Sequence, residues 1–202
     1  MRYLLLSLFI SCLMATPVQA NERELVLSEV EIYLEKLTTL KADFVQIAPG
    51  GDLVSGVFYL KRPGKMRWQY DPPVPVVMVG NGKFLRYWDR ELDQISDIPL
   101  DDTLAGFLAK RDISFDPKVV KVLEASSRDK VLRVKIEMAN KPHDGSLTME
   151  FEEGPLKLRN LILVDAEGKQ TNISLNNAKY GISLPDDLFV IKDTRLGGKG
   201  RR

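Results

Sequence analysis

The strongest constraint on this chain is a period-two alternation of apolar and polar residues through most of its length, with very little helix to accompany it. Leu132, Val134, Ile136 and Met138 alternate with Val131, Arg133, Lys135 and Glu137, and Leu147, Met149 and Phe151 alternate with Ser146, Thr148, Glu150 and Glu152. Thr171, Ile173 and Leu175 form another such row, and Leu40 to Ile47 reads as a strand too. Earlier, Gly56, Phe58, Leu60 and Arg62 share one face, and Met66, Trp68 and Tyr70 share another, with Lys65, Arg67 and Gln69 opposite. Successive strand side chains point to opposite faces, so each row belongs to one face of a sheet. Pro49-Gly50-Gly51, Arg62-Pro63-Gly64, Gly80-Asn81-Gly82-Lys83 and Glu153-Gly154-Pro155 are turn signals between these runs. The pattern predicts an antiparallel meander with one apolar and one polar face, ended by Phe189-Val190-Ile191.

Two helices are available to cover the apolar face. Asn21 followed by Glu24 has the form of a capping box, and Leu27, Val30, Leu34 and Leu37 recur at helical spacing behind it. Asp101-Asp102-Thr103 predicts the cap of a short helix running to about Ala109. A sheet of about ten strands twists and curls. The expected fold is therefore mainly β (α+β), a single incomplete, strongly curved antiparallel β-barrel with a helical lid. Its interior is either filled by side chains or holds a cavity for an apolar ligand, and periodicity is compatible with both.

Residues 1–20 read as a cleaved secretory leader. Arg2 precedes the apolar run Leu4 to Met14, which is too short to span a bilayer, and Val18-Gln19-Ala20 offers small residues before a cleavage point. Cys12, the only cysteine, lies inside it. The expected organisation is a leader at 1–20, one domain at 21–193 and a disordered tail at 194–202. Removing the leader takes Arg2 and no acid, so 29 basic and 28 acidic side chains become 28 and 28. A nucleic-acid binder would show a basic surplus, so no nucleic-acid partner is expected.

No catalytic set emerges. His143 is the only histidine, in a turn beside Asp144, where a solvated role fits better than that of a triad base. With no cysteine beyond residue 20, no zinc site can be assembled, and neither a metal nor a cofactor is expected. Asp101 and Asp102, like Asp186 and Asp187, sit where helix starts are expected. Gly80-Asn81-Gly82 precedes a strand rather than a helix, so it is a turn and not a phosphate cradle.

An ordered set of motifs carries a resemblance. Phe44 and Gln46 follow the first helix. Gly56, Arg62-Pro63-Gly64, Trp68-Gln69-Tyr70 and Asp71-Pro72-Pro73 come next, and Gly80-Asn81-Gly82-Lys83 leads into Leu85-Arg86-Tyr87-Trp88. From about Ala20 to Asp193 this resembles the periplasmic outer-membrane lipoprotein carriers, the LolA-type family. The resemblance implies a non-enzymatic periplasmic chaperone, a monomer. It would take acylated lipoproteins from an inner-membrane ABC-type lipoprotein-releasing complex and deliver them to an outer-membrane acceptor lipoprotein. A carrier or sensor of another envelope lipid is the alternative on the same fold. The resemblance also implies a latch at Arg62, which would hold the lid closed through backbone carbonyls and lose those bonds when lipid enters. Read from the residues alone, Arg62 is an inward-facing cation or an exposed turn arginine. The implied lipid cavity comprises Phe44, Phe58, Leu60, Met66, Trp68, Tyr70, Leu132, Val134, Ile136, Met149 and Phe151, and the lid comprises Leu27, Val30, Leu34, Leu37, Leu104, Phe107 and Leu108. Met66 stands where family members commonly carry an aromatic, and methionine suits a plastic apolar lining.

The physical demand fits such a role. Each methylene moved out of water is worth about 0.8 kcal/mol, so exposing a chain of about fifteen would cost on the order of 12 kcal/mol.

Overall fold

The structure is a computed structural model that describes residues 17–191. The expected tail at 194–202 and the first sixteen residues of the expected leader lie outside the described residues. Helix α1 (Pro17–Lys36) leads into β1 (Thr39–Ile47), β2 (Leu53–Lys61), β3 (Lys65–Tyr70), β4 (Val76–Asn81), β5 (Phe84–Asp89) and β6 (Gln94–Pro99). A 3₁₀ turn at Leu100–Asp102 and helix α2 (Leu104–Ala109) follow. Then come β7 (Val120–Arg128), β8 (Val131–Met138), β9 (Gly145–Glu152), β10 (Lys157–Asp165), β11 (Gln170–Tyr180) and a last 3₁₀ turn at Asp186–Phe189.

All eleven strands form one antiparallel sheet in the order β6-β5-β4-β3-β2-β1-β11-β10-β9-β8-β7. The order explains the architecture. The chain starts in the middle at β1, meanders out to one edge, crosses to the opposite edge and meanders back until β11 pairs with β1. The edges β6 and β7 do not pair, so the barrel is open. The crossing, residues 100–119, carries α2 over the concave face, where Phe107, Leu108 and Ala109 are buried in the core. Register shifts at Lys41/Asp43, Val122/Glu124 and Leu158/Asn160 sharpen the curl.

The concave face is the main core. Alternation delivers Leu40, Ala42 and Phe44 from β1, Phe58 and Leu60 from β2, and Leu132, Val134 and Ile136 from β8, all buried. Helix α1 adds Val26, Val30 and Leu34, with Leu37 just beyond it. Tyr33 packs edge-on against Phe151 at 5.4 Å, and its hydroxyl accepts a bond from the Leu158 N–H at 3.1 Å. From the second turn of α1, Arg23 Nη2 donates to the Val122 carbonyl at 2.8 Å, covering part of the β7 edge.

Three expectations need correction. Asn21 is not the N-cap of α1, since the helix begins at Pro17. Proline is at home in a first turn, where its missing N–H has no partner to lose. Phe189-Val190-Ile191 does not end the sheet: Asp186–Phe189 is a 3₁₀ turn, and Val190 and Ile191 are not strand. Nor is the convex face wholly polar. Val77, Val79, Leu184, Phe189 and Ile191 form a second buried cluster with Tyr59 and Trp88 packed against it. The run Val76-Val77-Met78-Val79 carries that signal, because an unbroken apolar strand is covered on both faces.

This C-terminal strap is held by the polar row of β2 and β3. Lys61 Nζ and Lys65 Nζ lie 2.6 and 2.9 Å from Asp186 Oδ1, Lys61 also donates to the Leu184 carbonyl at 2.7 Å, and Arg67 Nη1 donates to the Leu188 carbonyl at 3.0 Å. Hydrogen bonds from the two lysines lower the Asp186 pKa to about 2. A lowered carboxylate pKa contributes stability that is present above the ordinary value, near 3.8, and lost as pH falls through about 2. The strap should therefore loosen between about pH 4 and pH 2. At neutral pH, Asp186→Asn should speed hydrogen exchange at the Leu188 and Val190 amides, and unchanged protection there would remove this role.

Candidate binding cavity

Between the concave face and α2 lies a cavity of about 480 Å³. One wall is Met66, Trp68 and Tyr70 of β3 with Met78 of β4 and Leu85 of β5; the other is Leu147 of β9, Leu161 and Leu163 of β10 and Ile173 of β11. Leu104, Ala105 and Leu108 of α2 close it from above. Thr103 caps α2, its side chain accepting from the Gly106 N–H at 3.0 Å. Asp102, Lys141, Asp144, Asp165 and Lys169 also border the space. Lys141 Nζ lies 3.2 Å from Asp102 Oδ2, a half-exposed pair worth about 0–1 kcal/mol.

An aromatic cluster supports the β3 wall. Trp68 stacks on Phe58 at 4.1 Å, and Phe44 meets Trp68 and Tyr70 edge-on, each at 5.1 Å. The Tyr70 hydroxyl donates to Gln46 Oε1 at 2.9 Å, which satisfies the buried phenol. Burial pushes the Tyr70 pKa up, so the phenol stays neutral. Of the residues expected to face lipid, the structure brings Met66, Trp68 and Tyr70 to the cavity. It places Phe44, Phe58, Leu60, Leu132, Val134, Ile136, Met149 and Phe151 in the packed core. Of the lid residues, Leu104 and Leu108 line the cavity; Val30, Leu34, Leu37 and Phe107 are buried in the core, and Leu27 is half-buried against it. Sequence reasoning passed over Gln46, Met78, Leu85, Leu161, Leu163 and Ile173 as lining residues. Met78 was accessible through register, because it pairs directly with Trp68 and so shares its face. Trp68→Ala should weaken binding of an apolar fluorescent dye about tenfold. Unaltered dye binding would count against its place in the cavity wall.

Arg62 lies between β2 and β3 and reaches the covering segments. Its Nε donates to the Lys110 carbonyl at 2.7 Å and its Nη2 to the Arg111 carbonyl at 2.8 Å, just past α2. Its Nη1 donates to the Leu34 carbonyl and, at 3.3 Å, to the Leu37 carbonyl, at the end of α1. Helix ends leave carbonyls without intrahelical partners, and the fork of the guanidinium has five donors and no acceptor. One side chain thus ties the tip of a hairpin to two separate helical segments. Backbone bonds reinforce the seam: Gly64 N–H to Ala109 O at 2.6 Å and Arg62 N–H to Thr38 O at 2.8 Å. Gly64, at φ +78°, also has to be small, since a Cβ there would lie 2.6 Å from Gly82 Cα in the next hairpin. Burial pulls the Arg62 pKa down, while Asp112 and Glu35 oppose that shift.

Among the described residues no group of three or more His, Cys, Asp and Glu side chains could hold a metal ion, and no helix is long and apolar enough to cross a membrane. What the arrangement can do chemically is take an apolar chain out of water beneath a cover that one arginine clips shut.

The architecture is that of an open β-barrel container. More particularly, the chain belongs to the outer membrane lipoprotein carrier protein LolA family, whose profile matches residues 35–192. It is 30% identical to an outer-membrane lipoprotein carrier protein of Pseudomonas putida strain GB-1, over 91% of each chain. It is 29% identical to the protein of the same description from Azotobacter vinelandii, over 88% of this chain and 92% of the relative. A LolA superfamily protein of known structure from Nitrosomonas europaea is 15% identical and superposes with a TM-score of 0.49, covering 82% of this chain and 98% of that one.

Proposed function

We propose that this protein is a non-enzymatic, monomeric periplasmic chaperone that takes up the acyl chains of lipoproteins released from the inner membrane and delivers them to an outer-membrane acceptor. Residues 1–20 are the leader removed on export, and residues 21–193 are the carrier domain. The donor is an ABC-type lipoprotein-releasing complex, and the receiver is itself a lipoprotein. The observation that carries this reading is the Arg62 fork, which ties the end of α1 to the segment just past α2, the helix that closes the apolar cavity. The choice of acylated lipoprotein as cargo is supported by relatives described as outer-membrane lipoprotein carrier proteins.

The energetics require such a clip. A cavity that only buried methylenes, at about 0.8 kcal/mol each, would hold its cargo too well to pass it on. Bonds that exist only in the closed, empty state oppose loading and favour unloading, because their re-formation offsets part of the cost of letting the chains go. Depleting the protein in cells should leave outer-membrane lipoproteins stranded in the inner membrane. Normal sorting after depletion would sink the proposal. So would mass spectrometry of the purified protein that found a bound glycolipid in place of acylated lipoprotein.

A further inference from the structure

The sulfur atoms of this chain are unevenly placed. Met1, Met14 and Cys12 all precede residue 21, which leaves Met66, Met78, Met138 and Met149. Met66, Met78 and Met138 line the one cavity described above, although they come from three strands, β3, β4 and β8. Met149 is 0% exposed in the packed core. Met78 is half-buried, Met138 is 7% exposed and Met66 is 1% exposed. No thiol beyond residue 20 competes for oxidant.

We propose that the cavity methionines are an oxidation site for peroxides, with Met78 reacting first, Met138 second and Met66 behind them, and that sulfoxide formation there weakens the hold on apolar chains. A thioether lone pair attacks one oxygen of hydrogen peroxide, and the O–O bond breaks. The departing hydroxide takes up the proton left on the transferred oxygen and becomes water. Sulfur is oxidised by two electrons, and the peroxide is reduced by two. A flexible apolar side chain becomes a dipole with a strong acceptor oxygen. On the β3–β5 wall the Tyr70 hydroxyl already donates to Gln46, which leaves the Trp68 indole N–H as the one other side-chain donor among the residues of that wall. A polar group without a partner in an apolar lining is costly, and water drawn in to solvate it displaces the chain. The lesion is one that methionine sulfoxide reductases reverse, so the device is a switch and not only damage. The consequence for cargo rests on the carrier reading above; the order of oxidation does not.

The test uses the exported chain, hydrogen peroxide and an apolar fluorescent dye. Peptide mass spectrometry should find one added oxygen on Met78, then Met138, then Met66, with Met149 protected. Dye affinity should fall about tenfold as the first two react. It should recover after treatment with a methionine sulfoxide reductase and a dithiol. In the double variant Met78→Leu, Met138→Leu, samples treated only to the extent that oxidises Met78 and Met138 in the parent, before Met66 reacts, should bind like untreated ones, whatever that variant's own affinity. Oxidation of Met149 alongside the others overturns the proposal. So does unchanged affinity with Met78 and Met138 fully oxidised, failure to recover on reduction, or an equal loss in the double variant. Untreated protein that binds no dye overturns the carrier reading and this consequence together, whereas dye binding indifferent to oxidation overturns this proposal alone.

Discussion

An Arg62→Leu protein should still accept lipid and should fail to hand it on. Leucine reaches none of the four carbonyls that Arg62 holds, at Leu34, Leu37, Lys110 and Arg111. On the proposed mechanism the open, loaded form forgoes these bonds, so the substitution penalises the empty form alone. Bonds to a charged donor contribute about 1.5–3 kcal/mol each when fully formed, but Arg62 is half-exposed and its bonds share one side chain. A net bias of about 3 kcal/mol is a fair scale, and it corresponds to about a hundredfold slower or less complete unloading. The measurement is transfer of labelled lipoprotein from loaded carrier to acceptor in a reconstituted assay. Uptake should be preserved and transfer lost; unchanged transfer removes the latch role. Arg62→Lys should fall between, because one ammonium on a flexible stem cannot span carbonyls on two segments.

The second large effect is on stability. Gly56→Ala should lower the melting temperature by about 6–12 °C, the equivalent of about 3 kcal/mol in a domain of this size. A Cβ at Gly56 would lie 2.1 Å from the Gln69 carbonyl oxygen and 2.8 Å from the Phe44 ring. The carbonyl belongs to the β2–β3 ladder, where Gly56 pairs with Tyr70, and it cannot retreat without loosening that pairing. Phe44 cannot retreat freely either, since it is 1% exposed and wedged between Trp68 and Tyr70. The substitution thus disturbs the ladder and the aromatic cluster at once. A melting temperature within about 2 °C of the parent would show that the neighbours yield more easily than this packing implies.

The sheet was legible in the sequence because alternation is written into each strand separately. Phe58 and Leu60, or Val134 and Ile136, need no knowledge of their neighbours to declare an inner face. The open mouth was legible for a related reason: two helices had to cover many strands. The strands β7 and β10 were harder to read, since bulges at Val122/Glu124 and Leu158/Asn160 break the period. The cavity was only half legible. Phe44 and Trp68 are equally inward by pattern, yet one fills the core and the other faces the void. That difference comes from the curvature of the whole sheet and from where the 100–119 crossing lies. The convex-face cluster around Val77 and Phe189 escaped because it joins segments more than a hundred residues apart. Arg62 lay between these cases. Alternation aligned it with an apolar row, but nothing local could name carbonyls on α1 and beyond α2 as its partners.

The strand order has a kinetic consequence. The ladder at the centre of the sheet pairs Leu40 with Tyr180 and Ile47 with Asn172, so the first strand made waits for the last. Pairings so remote in sequence form late and slowly, because loop-closure entropy must be overcome before the contacts form. Until β11 arrives, β1 presents an unpaired edge beside an uncovered apolar face, the condition that invites strand addition by another chain. A polypeptide threaded across a membrane from its N-terminus cannot complete this fold until nearly all of it has emerged. On the proposed export route the chain therefore crosses as an incomplete sheet, and its cavity can form only after its last strand has joined its first.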